Sequence, residues 1–166
     1  TLSDEAGRKL ETFNMFTPAG RFDTAHLDEV LGQQMQRQGR AVVVLNTPCH
    51  NPTGYSLDAS EWAETAALLR KHGKTGPVTA LLDVAYSHYA AEGLTVALDA
   101  LKGIVGDVLV LFAWSASKSF AQYGIRVGAL VAVEHDAAKR AAIERAITYS
   151  CRGLWSNCNA RGMAAI

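Results

Sequence analysis

Three short stretches of this 166-residue chain hold the side chains best suited to chemistry. His50-Asn51-Pro52-Thr53-Gly54 offers an amide. Asp83, with Tyr86 three residues later, offers a carboxylate and a phenol. Ser115-Ala116-Ser117-Lys118 offers hydroxyls and an amine, and Arg126 follows eight residues after the lysine. A lysine in a partly desolvated pocket holds its proton less firmly, and the neutral amine can form a Schiff base with a carbonyl. A carboxylate at a buried edge costs desolvation energy unless a positive partner offsets it. For Asp83 that partner could be Lys118, in a structural ion pair, or a cationic atom of a ligand.

Each stretch follows a short apolar run. Ala41-Val42-Val43-Val44-Leu45 is rich in β-branched residues and reads as a buried strand, as do Val78–Leu82, Val108–Phe112 and Ala129–Val133. Helical patterns lie between them. Leu27, Val30, Leu31 and Met35 mark one helix, ended by Gly39. Ala59–His72 is a second, with Asp58 as N-cap, Glu61 three residues on, Trp62 in the core and Gly73 past the end. Val96–Lys102 is a third, and a fourth starts after Asp136 and runs through Ile143 and Ile147. The first 22 residues show no clear period. Strands alternating with helices predict an α/β fold: a mainly parallel sheet with helices on both faces, in one domain over residues 1–166. In such sheets ligands bind beyond the carboxyl ends of the strands, so the three stretches share one rim and a common pocket. Taken singly, each could be an ordinary polar strand end.

Composition narrows the partners. Sixteen basic residues balance sixteen acidic ones, which removes the charge footprint of a nucleic-acid binder. Hydrophobic residues make up 49%, too many for a disordered chain. No apolar run approaches the roughly 18 residues that span a bilayer, and no signal-peptide pattern opens the chain, so a cytoplasmic location is expected. Cys49, Cys151 and Cys158 read as reduced thiols. The five histidines have no metal-ligand spacing; His26, His72 and His135 are expected on solvated surfaces, and His50 in a structural role. Gly73-Lys74-Thr75 lacks the earlier glycine of a phosphate-binding loop.

An aspartate for a pyridinium nitrogen and a lysine for an aldehyde are what pyridoxal phosphate asks of a protein. Asn51-Pro52-Thr53-Gly54, Asp83-Val84-Ala85-Tyr86, Ser115-Ala116-Ser117-Lys118 and Tyr123-Gly124-Ile125-Arg126-Val127-Gly128, in that order, resemble the signature of class I aminotransferases, above all those acting on aspartate and aromatic amino acids. The resemblance runs from about Arg40 to the C-terminus. It implies pyridoxal-phosphate-dependent transamination of an amino acid to a 2-oxo acid, in a homodimer of the complete enzyme. It makes Lys118 the catalytic residue and the Schiff-base lysine. Asp83 would pair with the ring nitrogen, Asn51 and Tyr86 with the ring's phenolic oxygen, and Ser115 and Arg126 with the phosphate. Asn51 and Arg152 would contact substrate. Arg152 lies in Arg152-Gly153-Leu154-Trp155-Ser156-Asn157, similar to a family stretch that reaches the neighbouring subunit's site, although Cys158-Asn159 replaces a usual proline pair.

Two other readings are weighed. Ser115-x-x-Lys118 with Lys74-Thr75-Gly76 superficially resembles a serine acyl-enzyme, but the elements fall in the wrong order. Against the family the chain is short. An upstream phosphate loop, a ring-stacking aromatic and a downstream small domain are missing, so the chain is expected to be the central part of a large domain. Alone it would be a catalytically incompetent fragment or an interaction module.

Overall fold

The apolar runs pair as strands because their side chains alternate across a pleat while the backbone groups bond sideways. A computed structural model describes residue 7 and residues 9–166. The strands are β1 (Ala41–Asn46), β2 (Val78–Asp83), β3 (Leu109–Ser115) and β4 (Gly128–Val133), side by side in that order. β1, β2 and β3 run parallel, and β4 pairs antiparallel with β3. The register sets Asn46 beside Asp83 and Asp83 beside Ala113.

The helices are α1 (Thr24–Gln38), α2 (Ala59–Gly73), α3 (Thr95–Leu101), the single turn α4 (Ala116–Ser119), α5 (Ala137–Trp155) and α6 (Ala160–Ala164). α2 starts where the sequence places it. The Asp58 side chain accepts from Glu61 N–H at 2.8 Å, and Glu61 Oε2 accepts in return from Asp58 N–H at 3.0 Å. These two bonds satisfy backbone donors that a helix start leaves orphaned. α1 ends on Gly39 in the left-handed region (φ 68°), a conformation that costs glycine least. Gly73 acts differently from a C-cap glycine: the cap is Lys74, and a Cβ at Gly73 would collide with the Asp107 carbonyl and the Val108 side chain. The glycine is there for close packing.

Burial alternates along the strands. Val43, Ala80 and Val110 lie in one register row, and Leu45, Leu82 and Phe112 in the next. Leu27 and Leu31 of α1, Trp62, Ala66 and Leu69 of α2, and Ala97 and Leu101 of α3 complete this core. Fully burying a side chain such as Leu69 or Leu82 contributes about 1.5–3 kcal/mol. The opposite face of the strands is more exposed. Val42 and Val44 remain 67% and 57% exposed, and no residue of α5, which adjoins β4, is buried. Among the described residues one helical layer is complete. None of their helices is long and apolar enough to cross a membrane.

The aperiodic N-terminal segment is held by tertiary contacts. Phe22 is buried, meets Phe13 edge-on, and donates its N–H to Glu61 Oε1 at 2.9 Å. Glu61, itself buried, also accepts from the Tyr55 hydroxyl at 2.6 Å and faces Arg21 at 3.5 Å. One carboxylate thus joins the N-terminal segment, α2 and the loop after β1.

His72 corrects the sequence reading. It is only 8% exposed, because it follows Leu69 by three residues on the core-facing side of α2. Its Nε2 meets Asp28 Oδ1 of α1 at 2.6 Å, and Lys71 Nζ reaches the same carboxylate. His26 is half-buried, with Nδ1 accepting from Asn14 N–H at 2.9 Å. Burial pushes the Asp28 carboxyl upward, but hydrogen bonds from Lys71 and His72 outweigh it and hold the carboxyl below the ordinary range. A depressed carboxyl stabilises the fold above its unfolded pKa, about 3.9, and that stabilisation is lost as pH falls through the folded value. Urea unfolding between about pH 5 and pH 3 should therefore show Asp28→Asn losing less stability than the parent. Equal losses would mean that the pair contributes nothing.

Candidate active site

β1 and β2 end on polar residues whose side chains lie on the face away from the core. Asn46 and Asp83 share this parity with Val44 and Leu81, and the next loops bring in their neighbours. With Asn51, Ala85, Tyr86, Lys118 and Tyr123 they line an open cavity of about 500 Å³ at the carboxyl rim of the sheet. Four of the sequence candidates therefore meet: Asn51, Asp83, Tyr86 and Lys118.

The contacts are specific. Asn51 Nδ2 donates to the Tyr86 hydroxyl at 3.3 Å. Asp83 Oδ1 accepts from Ala85 N–H at 3.2 Å, which ties the carboxylate to its own turn. Lys118 stands in the turn α4, where the Tyr89 hydroxyl donates to its carbonyl at 3.1 Å. Its Nζ lies 4.1 Å from the ring centroid of Tyr123 and 5.9 Å from that of Tyr86. Ring faces attract a cation without neutralising it. Asp83 and Lys118 form no ion pair, so the structural pairing the sequence left open is not made, and the cavity keeps an acid and an amine apart.

The remaining candidates, Ser115, Arg126 and Arg152, do not line the cavity. Ser115 caps α4, its hydroxyl oxygen accepting from Ser117 N–H at 3.1 Å. Arg126 takes a left-handed backbone (φ 60°). Its Nη1 donates to the buried Ser117 hydroxyl at 3.3 Å and to the Tyr123 carbonyl at 3.1 Å. Arg152 is exposed on the last turn of α5. His50 is engaged within its loop, with Nδ1 2.9 Å from the Thr53 hydroxyl. The Ser115 hydroxyl has no hydrogen bond to Lys118, the contact a serine nucleophile would need. Among the described residues no three His, Cys, Asp or Glu side chains are placed to hold a metal ion.

Three cavity residues have no role in the sequence reading: Asn46, Ala85 and Tyr123. Ala85 and Tyr123 stand only inside motifs, and Asn46 directly follows the apolar run Ala41–Leu45. The available signal was the one that singled out Asp83: a polar side chain directly ending an apolar run.

A lysine, a carboxylate with no ion pair among the described residues, an amide and a phenol thus meet on the carboxyl rim of a mainly parallel sheet, where α/β proteins bind ligands. The profile of the family described as "Aminotransferase class I and II" matches residues 5–166. The chain is 30% identical to the aromatic-amino-acid aminotransferase of Pseudomonas aeruginosa over 167 residues, covering 100% of this chain and 40% of that protein. It is 31% identical to the same organism's aspartate aminotransferase over 76% of this chain and 31% of that protein. Among solved structures, an aminotransferase from Anaerococcus prevotii superposes with a TM-score of 0.88 at 31% identity, over 95% of this chain and 40% of that one. An aromatic-amino-acid aminotransferase from Burkholderia pseudomallei, described as covalently bound to pyridoxal phosphate, gives 0.79 at 25% identity over 97% and 39%. This chain belongs to the class I and II aminotransferase family. It spans about 40% of the length of the proteins it matches most fully.

The antiparallel seam between β3 and β4 holds the lysine turn in place, since Ala116 N–H donates to the Val127 carbonyl at 3.0 Å. A Cβ on Gly128 would lie 2.6 Å from the Trp114 carbonyl oxygen. Gly128→Ala should cost about 1–3 kcal/mol of stability and speed hydrogen exchange at the Ala116 amide. Unchanged stability and exchange would show that the seam is not strained by the added methyl.

Proposed function

We propose that the complete protein is a pyridoxal-phosphate-dependent aminotransferase that moves an amino group between an amino acid and a 2-oxo acid. This chain is read as the central part of its cofactor-binding large domain, and turnover is assigned to the complete protein. One observation carries the reading: Asn51, Asp83, Tyr86 and Lys118, delivered by three separate strand ends, line one cavity.

The donor set suits the cofactor. A carboxylate without a protein cation fits a pyridinium nitrogen, and an amide-phenol pair fits an oxyanion. An amine fits an aldehyde, and a hydroxyl with a guanidinium fits a phosphate. When bound, pyridoxal phosphate supplies the aldehyde and a ring able to accept electrons from the substrate's α-carbon. The protein's part is positioning and proton movement. Asp83 would pair with the ring nitrogen and keep it protonated. Asn51 and Tyr86 direct hydrogen bonds at the ring oxygen and favour its anionic form. Ser115 and Arg126 hold the phosphate. The Lys118 amine would hold the aldehyde, and it would carry the proton to and from the substrate's α-carbon, as base and then acid.

Arg152, exposed and not lining this cavity, is read as serving the site of a neighbouring subunit in a homodimer. There it would meet a dicarboxylic substrate's distal carboxylate, which points to aspartate, with aromatic amino acids as the other donor class.

Both assignments are testable in the complete protein. Lys118→Ala should abolish the visible absorbance of lysine-bound cofactor and lower kcat by about 100- to 10,000-fold; retention of both would end the cofactor assignment. Arg152→Leu should raise KM for aspartate by about 10- to 100-fold, the worth of a charged hydrogen bond, while sparing phenylalanine. An unchanged KM for aspartate would remove Arg152 from the substrate site.

A further inference from the structure

Asn46 ends β1 directly beside Asp83, and both ends of its amide are used. Oδ1 accepts from Asn51 N–H at 2.7 Å, and Nδ2 donates to the Asp83 carbonyl at 3.2 Å. The orientation is chemically determined: a backbone N–H can only donate, so the oxygen must face Asn51. A carbonyl can only accept, so the nitrogen must face Asp83.

The loop that carries Asn51 is otherwise bonded mainly to itself. His50 N–H donates to the Tyr55 carbonyl, Gly54 N–H to the His50 carbonyl, and Cys49 N–H to the Ser56 hydroxyl. Thr47 N–H bonds to the Asp83 carbonyl, but it precedes Asn51 by four residues. Among the described hydrogen bonds, the Asn46 side chain is what links the backbone of Asn51 to the sheet. Asn51 passes the constraint on, since its Nδ2 donates to the Tyr86 hydroxyl. The chain of contacts therefore runs from Asp83 through Asn46 to Asn51 and Tyr86, along the rim of one cavity.

We propose that Asn46 is a positioning residue that sets Asn51, and through it Tyr86, at a fixed offset from Asp83. The inference rests on the reading that this cavity takes pyridoxal phosphate. Asp83 addresses the ring nitrogen, and Asn51 and Tyr86 address the ring oxygen, across the same rigid ring. Their spacing has to match that ring, and a loop closed on itself does not supply the match. Asn46 supplies it by bonding to both sides. Without Asn46 the donors at the ring oxygen loosen, the anion there is less stabilised, and the bound cofactor holds its proton more tightly.

The test is a pH titration of the visible absorbance of the bound cofactor in the complete protein, together with the affinity of the cofactor-free protein for pyridoxal phosphate. Asn46→Ala should move the absorbance midpoint upward by about half a pH unit to one unit and weaken cofactor binding about 5- to 10-fold, the worth of one hydrogen bond. Because Asn46 acts through Asn51, the Asn46→Ala/Asn51→Ala double variant should titrate like Asn51→Ala alone. Should the truncated variant fail to fold, Asn46→Leu keeps the volume and removes both hydrogen bonds. A wild-type midpoint and affinity in the folded variant would overturn the proposal, as would additive shifts in the double variant. A parent protein that develops no visible band with pyridoxal phosphate would instead overturn the cofactor reading beneath it.

Discussion

Everything at the rim depends on the in-register parallel pairing of β1 with β2. That pairing stops both strands at the same height, so Asn46 and Asp83 leave the sheet side by side. β3 joins in the same direction and runs two residues past Ala113, the partner of Asp83, which places Ser115 and then Lys118 beyond the same edge. Because side chains alternate along a strand, a slip of one residue would turn Asp83 into the core and bring Leu82 to the cavity face. The buried rows Val43-Ala80-Val110 and Leu45-Leu82-Phe112 guard against it, since a slip would expose them. Apolar packing thus sets the geometry of the polar rim.

The rim also keeps opposite charges apart. Asp83 is held by its own turn, and Lys118 is held against two tyrosine rings. In a partly buried cavity a direct pair would gain Coulomb energy but leave neither group available to a ligand. Aromatic faces and backbone donors orient each group without consuming its charge. The neutral net charge of the chain is compatible with this, because the work at the rim is done by single, placed charges.

Strands and capped helices were legible because their signals are local. A run of β-branched residues needs only its neighbours to read as a strand, and Asp58 with Glu61 marks a helix start within four residues. The family signature was legible for a related reason: Asn51, Asp83, Tyr86 and Lys118 each sit at a strand end that the pattern of apolar runs already reveals. What the sequence did not show depends on another element. His72 looks like a surface residue until α1 brings Asp28 against it. Phe22 belongs to no periodic segment, yet it packs into the core against Phe13, and Glu61, 39 residues away, accepts its N–H. Asn46 gains meaning only when Asn51 folds back onto it.

By itself the sequence determined the α/β class, the order of the elements and the residue types able to handle an amine, an oxyanion and a phosphate. These follow from side-chain periodicity and functional-group chemistry, which are written along the chain. Tertiary structure decided which of those groups share the cavity, that Lys118 faces Tyr123 and makes no ion pair with Asp83, and that Arg152 does not line it. The reason is that distances between residues far apart in sequence are set by register and loop closure, and these are properties of how the strands pack together.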